Sequence, residues 1–579
     1  MRWMRRIPLR AKRLVFFLNI SILLAACQGQ AQIVNPPNIF ITFTPASISV
    51  PALTPFAPSG TQLGIAVPAA VPNEIRIGAS VPPLLRAQVQ SLSLPADAGL
   101  TLDISSSDSS YPNQTQWVYA LVAPFPTIRD GVTSAELREM WSNGPSSSLF
   151  NSQPLLMDES ALAAFTALWG APATGSVRSV DASQIVDSAW NESTWAIIPF
   201  ESLSPRWKVL TIDGQSPIRK GFDVSIYPLV VSFALQTSTN LQPSSLSLPP
   251  SNYDPSKLTT VVITGTTALV RATAFKMEQK GITYPGEEVR GIMREADIAH
   301  VSNEVSFFDE CPPPDPNSGL VIFCSDPKYL GLLQDVGVDV VELTGNHFAD
   351  YGRGAMDETL AMYKANNMAY FGGGSNLLDA FQPALFDVNG NKIAFLGCNL
   401  ADMGGPDIAT DDHPGSARCD FGYLTSRVKE LRAEGYLVIF TFQWDEDYAP
   451  QPKSEMTIDF HRMADAGATV VSGSQAHFPK TMEFYNNAFI HYGLGNLFFD
   501  QMGNLDWMPD GIRREFLDRY AIYDGRLIGV ELITTLLEDF ARPRLMTDAE
   551  RAAFLQEYFS DSGWSPILDG AAVPPTTVP

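Results

Sequence analysis

Glu342-Leu343-Thr344-Gly345-Asn346-His347-Phe348-Ala349-Asp350-Tyr351-Gly352 follows the apolar run Val338-Asp339-Val340-Val341. That run reads as a short buried strand. A Gly-Asn-His turn at its end sets an amide oxygen beside an imidazole, at the carboxyl edge of an α/β sheet, where ligands usually bind. The amide oxygen can ligate a metal, and the imidazole can act as acid or ligand. A purely structural turn would also use Gly and Asn, so the motif needs partners from elsewhere in the chain.

Other strand-like runs supply them. Thr260-Val261-Val262-Ile263 leads into Thr264-Gly265-Thr266, and Ile298-Ala299-His300-Val301-Ser302 into Asn303-Glu304. Leu437-Val438-Ile439-Phe440-Thr441-Phe442 leads into Gln443-Trp444-Asp445-Glu446-Asp447-Tyr448, and Thr469-Val470-Val471-Ser472 into Gly473-Ser474-Gln475-Ala476-His477. Helical periods over 424–433 and 456–466 separate them. This alternation predicts a layered α/β domain. Polar residues after successive strands converge on one edge. We therefore expect Glu304, Asn346, His347, Gln443 and His477 to border one pocket.

The start of the chain addresses it for export. Arg2, Arg5, Arg6, Arg10, Lys12 and Arg13 precede a short apolar run that ends at Leu24-Ala25-Ala26-Cys27. A basic head with a short apolar body is a signal segment rather than a membrane span. The Leu-Ala-Ala-Cys phrase resembles the bacterial lipobox, which implies removal of residues 1–26, lipid on Cys27, and a membrane-anchored extracytoplasmic protein. The formal charge is −23. Without the six basic residues before Cys27 the balance is 33 basic against 62 acidic side chains, or −29. Such a chain is a poor partner for nucleic acid or anionic lipid.

Apart from Cys27 the cysteines are Cys311, Cys324, Cys398 and Cys419, an even number in an oxidising compartment. Three pairings exist. The sequence-local one, Cys311 with Cys324 and Cys398 with Cys419, is the simplest, and the first bridge would close the loop containing Pro312-Pro313-Pro314-Asp315-Pro316. No C-x-x-C spacing supports a zinc cluster, and the more serious competing reading is a buried free thiol at Cys398, which sits in a strand-like run.

Composition divides the chain into a signal (1–26), a Pro/Ser/Thr-rich tether (27–60), an N-terminal α/β domain (61–239) and a linker (240–257). A larger α/β domain (258–540) and a C-terminal helix with a disordered tail (541–579) complete it. In the N-terminal domain Ser134 is the expected cap of a helix beginning Ala135-Glu136.

Residues 258–537 resemble the CapA family of capsule or poly-γ-glutamate synthesis proteins, also called PgsA. The phrases are Gly345-Asn346-His347 with Asp350-Tyr351-Gly352, and Tyr492-Gly493-Leu494-Gly495-Asn496-Leu497-Phe498-Phe499-Asp500-Gln501. The resemblance implies a metallophosphoesterase-like α-β-β-α sandwich and a role with an anionic extracellular polymer or peptide. The chain departs from the family in three places. Thr266 stands where the family has Asp. Gln443 opens the family's His-Trp-Gly-x-Glu-Tyr phrase. Gly473-Ser474-Gln475-Ala476-His477 replaces Gly-His-x-Pro-His. Neutral groups at these points weaken a two-metal site and leave one divalent ion on Glu304, Asn346 and His477. The catalytic candidates are His347, as acid, and Glu304. Asn303, Gln443, Trp444, Asp447 and Gln475 are the ligand-binding candidates. The competing reading is a non-catalytic binding lipoprotein for a polymer, peptide or solute. Trp117-Val118-Tyr119-Ala120-Leu121-Val122 and Trp195-Ala196-Ile197-Ile198-Pro199 also resemble a lobe of a periplasmic solute-binding protein, with no binding residue to carry across. His300, His413 and His461 read as structural, and His491 is open.

Overall fold

The computed structural model describes residues 75–91, 100–105, 113–145, 152–237, 248–401, 405–503 and 509–568. The expected signal, Cys27 and the tether lie outside the described residues. The described residues belong to one compact unit. No helix among the described residues is long and apolar enough to cross a membrane.

Two sheets build the C-terminal half. In the larger, Ala369–Phe371, Val340–Glu342, Ile298–Asn303 and Leu258–Thr264 run parallel, and Arg514–Tyr523, Arg526–Glu538 and Arg542–Leu545 continue it antiparallel. In the smaller, Asn391–Asn399, Leu437–Gln443, Val470–Ser474 and Ala488–His491 are parallel, with Ala384–Val388 and Met482–Tyr485 antiparallel at the edges.

The period of two along each strand sorts side chains into layers. Val261, Ile263, Ile298, Val340, Ile393, Phe395, Leu437 and Ile439 share one core between the sheets. Val262, Ala299, Val301 and Val341 face helices Arg271–Lys280, Leu330–Val336 and Gly352–Ala365. Ala394, Val438, Phe440 and Phe442 face helices Phe421–Ala433 and Ser454–Ala466. The result is the α-β-β-α sandwich. The last helix, Asp548–Asp561, is capped by Thr547 through a capping box. It adds Phe554, Leu555 and Tyr558 to the inter-sheet core, and its Phe554 ring stacks on Phe516 with centroids 4.5 Å apart.

The N-terminal half is a mixed sheet around Gln114–Pro124, with Trp117, Tyr119, Trp141 and Trp195 in its core. That core extends to Leu258, Ala521 and Tyr523, so the two halves pack through shared apolar residues. One expectation is corrected. Thr133, not Ser134, caps the helix Ser134–Asn143, because Thr133 stands three residues before Glu136 and closes a reciprocal capping box with it.

Disulfides join Cys311 to Cys324 and Cys398 to Cys419, with Cα separations of 5.8 and 5.0 Å. The second ties the end of Asn391–Asn399 to the segment that leads into the helix Phe421–Ala433.

Candidate functional site

Side chains at the carboxyl ends of the parallel strands of the two sheets meet through direct contacts across a shared mouth region. Gln443, the last residue of its strand, donates through Nε2 to Asn346 Oδ1 at 3.2 Å and also to Gln475 Oε1. Ser474 donates to Gln443 Oε1 at 2.7 Å and to Glu342 Oε1 at 3.1 Å. Glu342, buried behind this group, also accepts from Thr344 and lies 3.3 Å from His300 Nε2.

Glu304 and His477 form the second half of the mouth. His477 Nε2 lies 3.8 Å from Glu304 Oε2, and its Nδ1 pairs with Asn496 Oδ1 at 2.8 Å. Glu304 is 1% exposed, and neither of its carboxylate oxygens accepts a hydrogen bond. The neighbouring Thr266 and Thr267 hydroxyls are also buried without partners. A buried carboxylate without donors is costly unless a cation or ligand joins it. Two non-glycine residues here hold left-handed backbone, Gln475 at φ 70° and His477 at φ 51°. Such strain collects at functional sites.

His347 stands nearer solvent. Its Nδ1 pairs with Asp350 Oδ2 at 2.8 Å. Burial pulls the imidazole pKa down. The Asp350 hydrogen bond and the negative field of Glu304, Asp350 and Asp407 outweigh that effect and hold it above the ordinary 6.5. Direct contacts thus link Asn346, Gln443 and Gln475 in one group and Glu304 with His477 in another, and the bridge between Val305 and His347 sets the Gly-Asn-His turn beside Glu304.

Three of the ligand-binding candidates, Asn303, Trp444 and Asp447, have partners within the chain. Asn303 donates to Val305 O at 2.9 Å and Tyr363 OH at 2.8 Å, inside the helix layer. It shares strand parity with Ala299 and Val301, which face that layer, whereas Glu304 has the opposite parity. Trp444 shares parity with Phe440 and Phe442, packs with them, and donates to Asp459 at 3.1 Å. Asp447 pairs with Lys480 at 3.0 Å. The ammonium of this fully buried lysine also donates to Ala449 O at 2.8 Å, so Asp447 anchors its loop. Burial holds Lys480 below its ordinary pKa, against the pull of Asp447.

The other histidines lie elsewhere. His491 pairs with Asp518 at 2.7 Å between the sheets. His461 stacks on Tyr485, and His413 bonds the Pro414 carbonyl in a loop.

Sequence reasoning gave no role to Asp350 or Glu342. A carboxylate three residues after His347 was the available signal for Asp350. For Glu342 it was strand parity, which places it with Val340 on the inner face. Among the described residues, no three His, Cys, Asp or Glu side chains come together as a metal-binding group.

Residues 260–501, which contain every residue of this mouth, match the family model described as bacterial capsule synthesis protein PGA_cap. The capsule biosynthesis protein CapA of Bacillus anthracis is 30% identical over 173 residues, 29% of this chain and 42% of that protein. The PGA biosynthesis protein CapA of Bacillus subtilis is 28% identical over 228 residues, 39% of this chain and 59% of that protein. The chain thus spans about half the length of these curated relatives. Among solved structures, a putative 5'-nucleotidase from Staphylococcus aureus, in complex with α-ketoglutarate, aligns over 52% of this chain and 59% of its own. The identity is 11% and the TM-score 0.31. Over residues 260–501 this chain is thus similar to the bacterial capsule synthesis protein family PGA_cap and to its CapA proteins.

Proposed function

We propose that this is a lipid-anchored extracytoplasmic protein that cleaves or transfers a bond in an anionic polymer of the poly-γ-glutamate or capsule type. The single observation that carries this reading is the pair of buried, unbonded Glu304 oxygens beside His477, next to the segment that carries the His347–Asp350 pair. One carboxylate, one imidazole and the Asn346 amide oxygen form a donor set suited to one divalent cation rather than two. A cation held there would supply Lewis acidity toward a carbonyl or phosphoryl oxygen. Asp350 fixes the Nδ1–H of His347, so the transferable proton sits at Nε2, where it can protonate a leaving group. The Gln443, Gln475 and Asn346 amides orient polar substrate groups without adding charge.

Two experiments test this. Calorimetric titration of metal-stripped protein with Mn2+ or Zn2+ should show one site per chain, lost in His477→Ala. Against a panel of γ-glutamyl and phosphoester substrates, wild type should turn over at least one, and His347→Ala should lose about 10²–10⁴-fold. No cation uptake and no turnover would move the assignment to the binding lipoprotein. The self-bonded amide cluster at Gln443 favours that second reading, because the family places an imidazole there.

The anchor has its own test. Mass spectrometry of membrane-extracted protein should find Cys27 as the acylated first residue. An intact Met1, or an unmodified Cys27, overturns it.

A further inference from the structure

Phe323 immediately precedes the bridged Cys324, and its backbone N–H donates to Asp350 Oδ2 at 2.7 Å. The same oxygen pairs with His347 Nδ1 at 2.8 Å. One carboxylate oxygen is therefore shared between the disulfide loop and the imidazole. The Phe323 ring also meets the His347 ring edge-on, with centroids 4.6 Å apart.

The contact continues across the mouth. The Arg271 guanidinium lies 4.8 Å from the Phe323 centroid and 5.2 Å from that of Phe499. Phe499 in turn lies 5.1 Å from the His477 ring. Asp500 grips Arg271 through two bonds, at 2.5 and 3.1 Å, and the Arg271 backbone is held at φ 43°. An aromatic and cationic band thus joins the two imidazoles of the site. With Ala268, Val270 and Val305, Phe323 and Phe499 form a small apolar cluster of their own, separate from the main cores.

Little besides the crosslink holds Phe323 on its N-terminal side. Leu320, Val321 and Ile322 are 67, 70 and 55% exposed, so packing does not fix them. On the other side Ser325 is bonded to Ser306 O and Leu269 O. The Cys311–Cys324 bridge closes this gap.

The geometry points to the disulfide-closed segment 311–324 as the wall that positions the His347–Asp350 pair, with Phe323 as the positioning residue. This deepens the reading of His347 as proton donor and rests on it. A merely structural disulfide would stabilise the fold without touching the His347–Asp350 bond.

The test uses full-length protein labelled with [15N]histidine. The chain has six histidines, and His347→Gln identifies the His347 signal. In wild type its Nδ1–H should be a protected, downfield resonance. In Cys311→Ser/Cys324→Ser, and in Phe323→Leu with the bridge intact, that proton should exchange about tenfold faster or vanish. Phe323→Tyr should restore it. The buried His491–Asp518 signal reports the fold and should stay unchanged throughout. If the serine pair fails to fold, Phe323→Leu decides. An unchanged His347 signal in Phe323→Leu overturns the proposal, as does an unprotected one in wild type. The readout needs no turnover. Turnover with an unmoved signal sinks only the positioning wall, and a moved signal without turnover on any substrate sinks only the acid role.

Discussion

Glu304→Gln is expected to stabilise the protein and abolish cation binding in the same step. The carboxylate is 1% exposed and has no hydrogen-bond donor on either oxygen. Burying an unsatisfied charged group costs about 1–3 kcal/mol or more, and a neutral amide of the same shape costs less. The nearest group able to carry positive charge is His477, at 3.8 Å, too far for a hydrogen bond. The change should therefore raise the unfolding free energy by about 1–2 kcal/mol. It should remove the only carboxylate of the proposed cation site, and with it both cation uptake and turnover. A gain of stability against a loss of function is the signature of a residue kept for its chemistry. Urea unfolding and cation titration of the same preparations provide the check. If Glu304 instead holds the fold through a satisfied ion pair with His477, the substitution should cost about 3–5 kcal/mol. That outcome would remove the main support for the site.

Much of this arrangement was legible in the sequence, and strand parity explains both the successes and the misses. Glu304 follows His300 and Ile298 on the inner face. Gln443 follows Ile439 and Leu437 there. Both face away from the helix layers because parity at a strand end fixes the side on which a side chain emerges. Asn303 and Trp444 have suitable chemistry beside a motif, yet their parity points to the helix layers, where the structure places them. The period of two was available to reject them. Phe323 could not be read in this way. It lies in a Pro-rich loop with no periodicity, and its link to Asp350 is a backbone N–H, which has no residue signature. The amide network around Gln443 was equally hidden. Substitution from a family pattern shows what is missing, whereas the structure shows that Asn346, Gln475 and Ser474 bond the replacement into place.

Gly345→Ala is expected to destabilise the protein by about 3 kcal/mol and dismantle the mouth, because the motif's glycine is required for space. Its φ lies outside the left-handed region, so conformational freedom is not the reason. A β-carbon at this position would lie 2.3 Å from Glu304 Cα, 2.6 Å from Glu304 Cβ and 2.6 Å from the Glu304 carbonyl oxygen. Two of these are backbone atoms, and a neighbouring bridge between Val305 and His347 holds the two segments together, so neither can retreat alone. Overpacking of this kind usually costs about 1–3 kcal/mol, and the upper end applies where backbone must move. Separating the segments that carry Glu304 and His347 would also shift Glu304 relative to His477. Gly354→Ala supplies the control. It lies in the helix Gly352–Ala365, where an added β-carbon meets nothing within 4 Å, and should be neutral or stabilising by up to about 1 kcal/mol. Urea midpoints of the two variants measured side by side decide the point. A Gly345→Ala midpoint within about 0.5 kcal/mol of wild type would mean that the two strand ends stand farther apart in solution than their contact at Gly345 requires. The close approach that brings Glu304 to the Gly-Asn-His turn would then no longer explain why the motif begins with glycine.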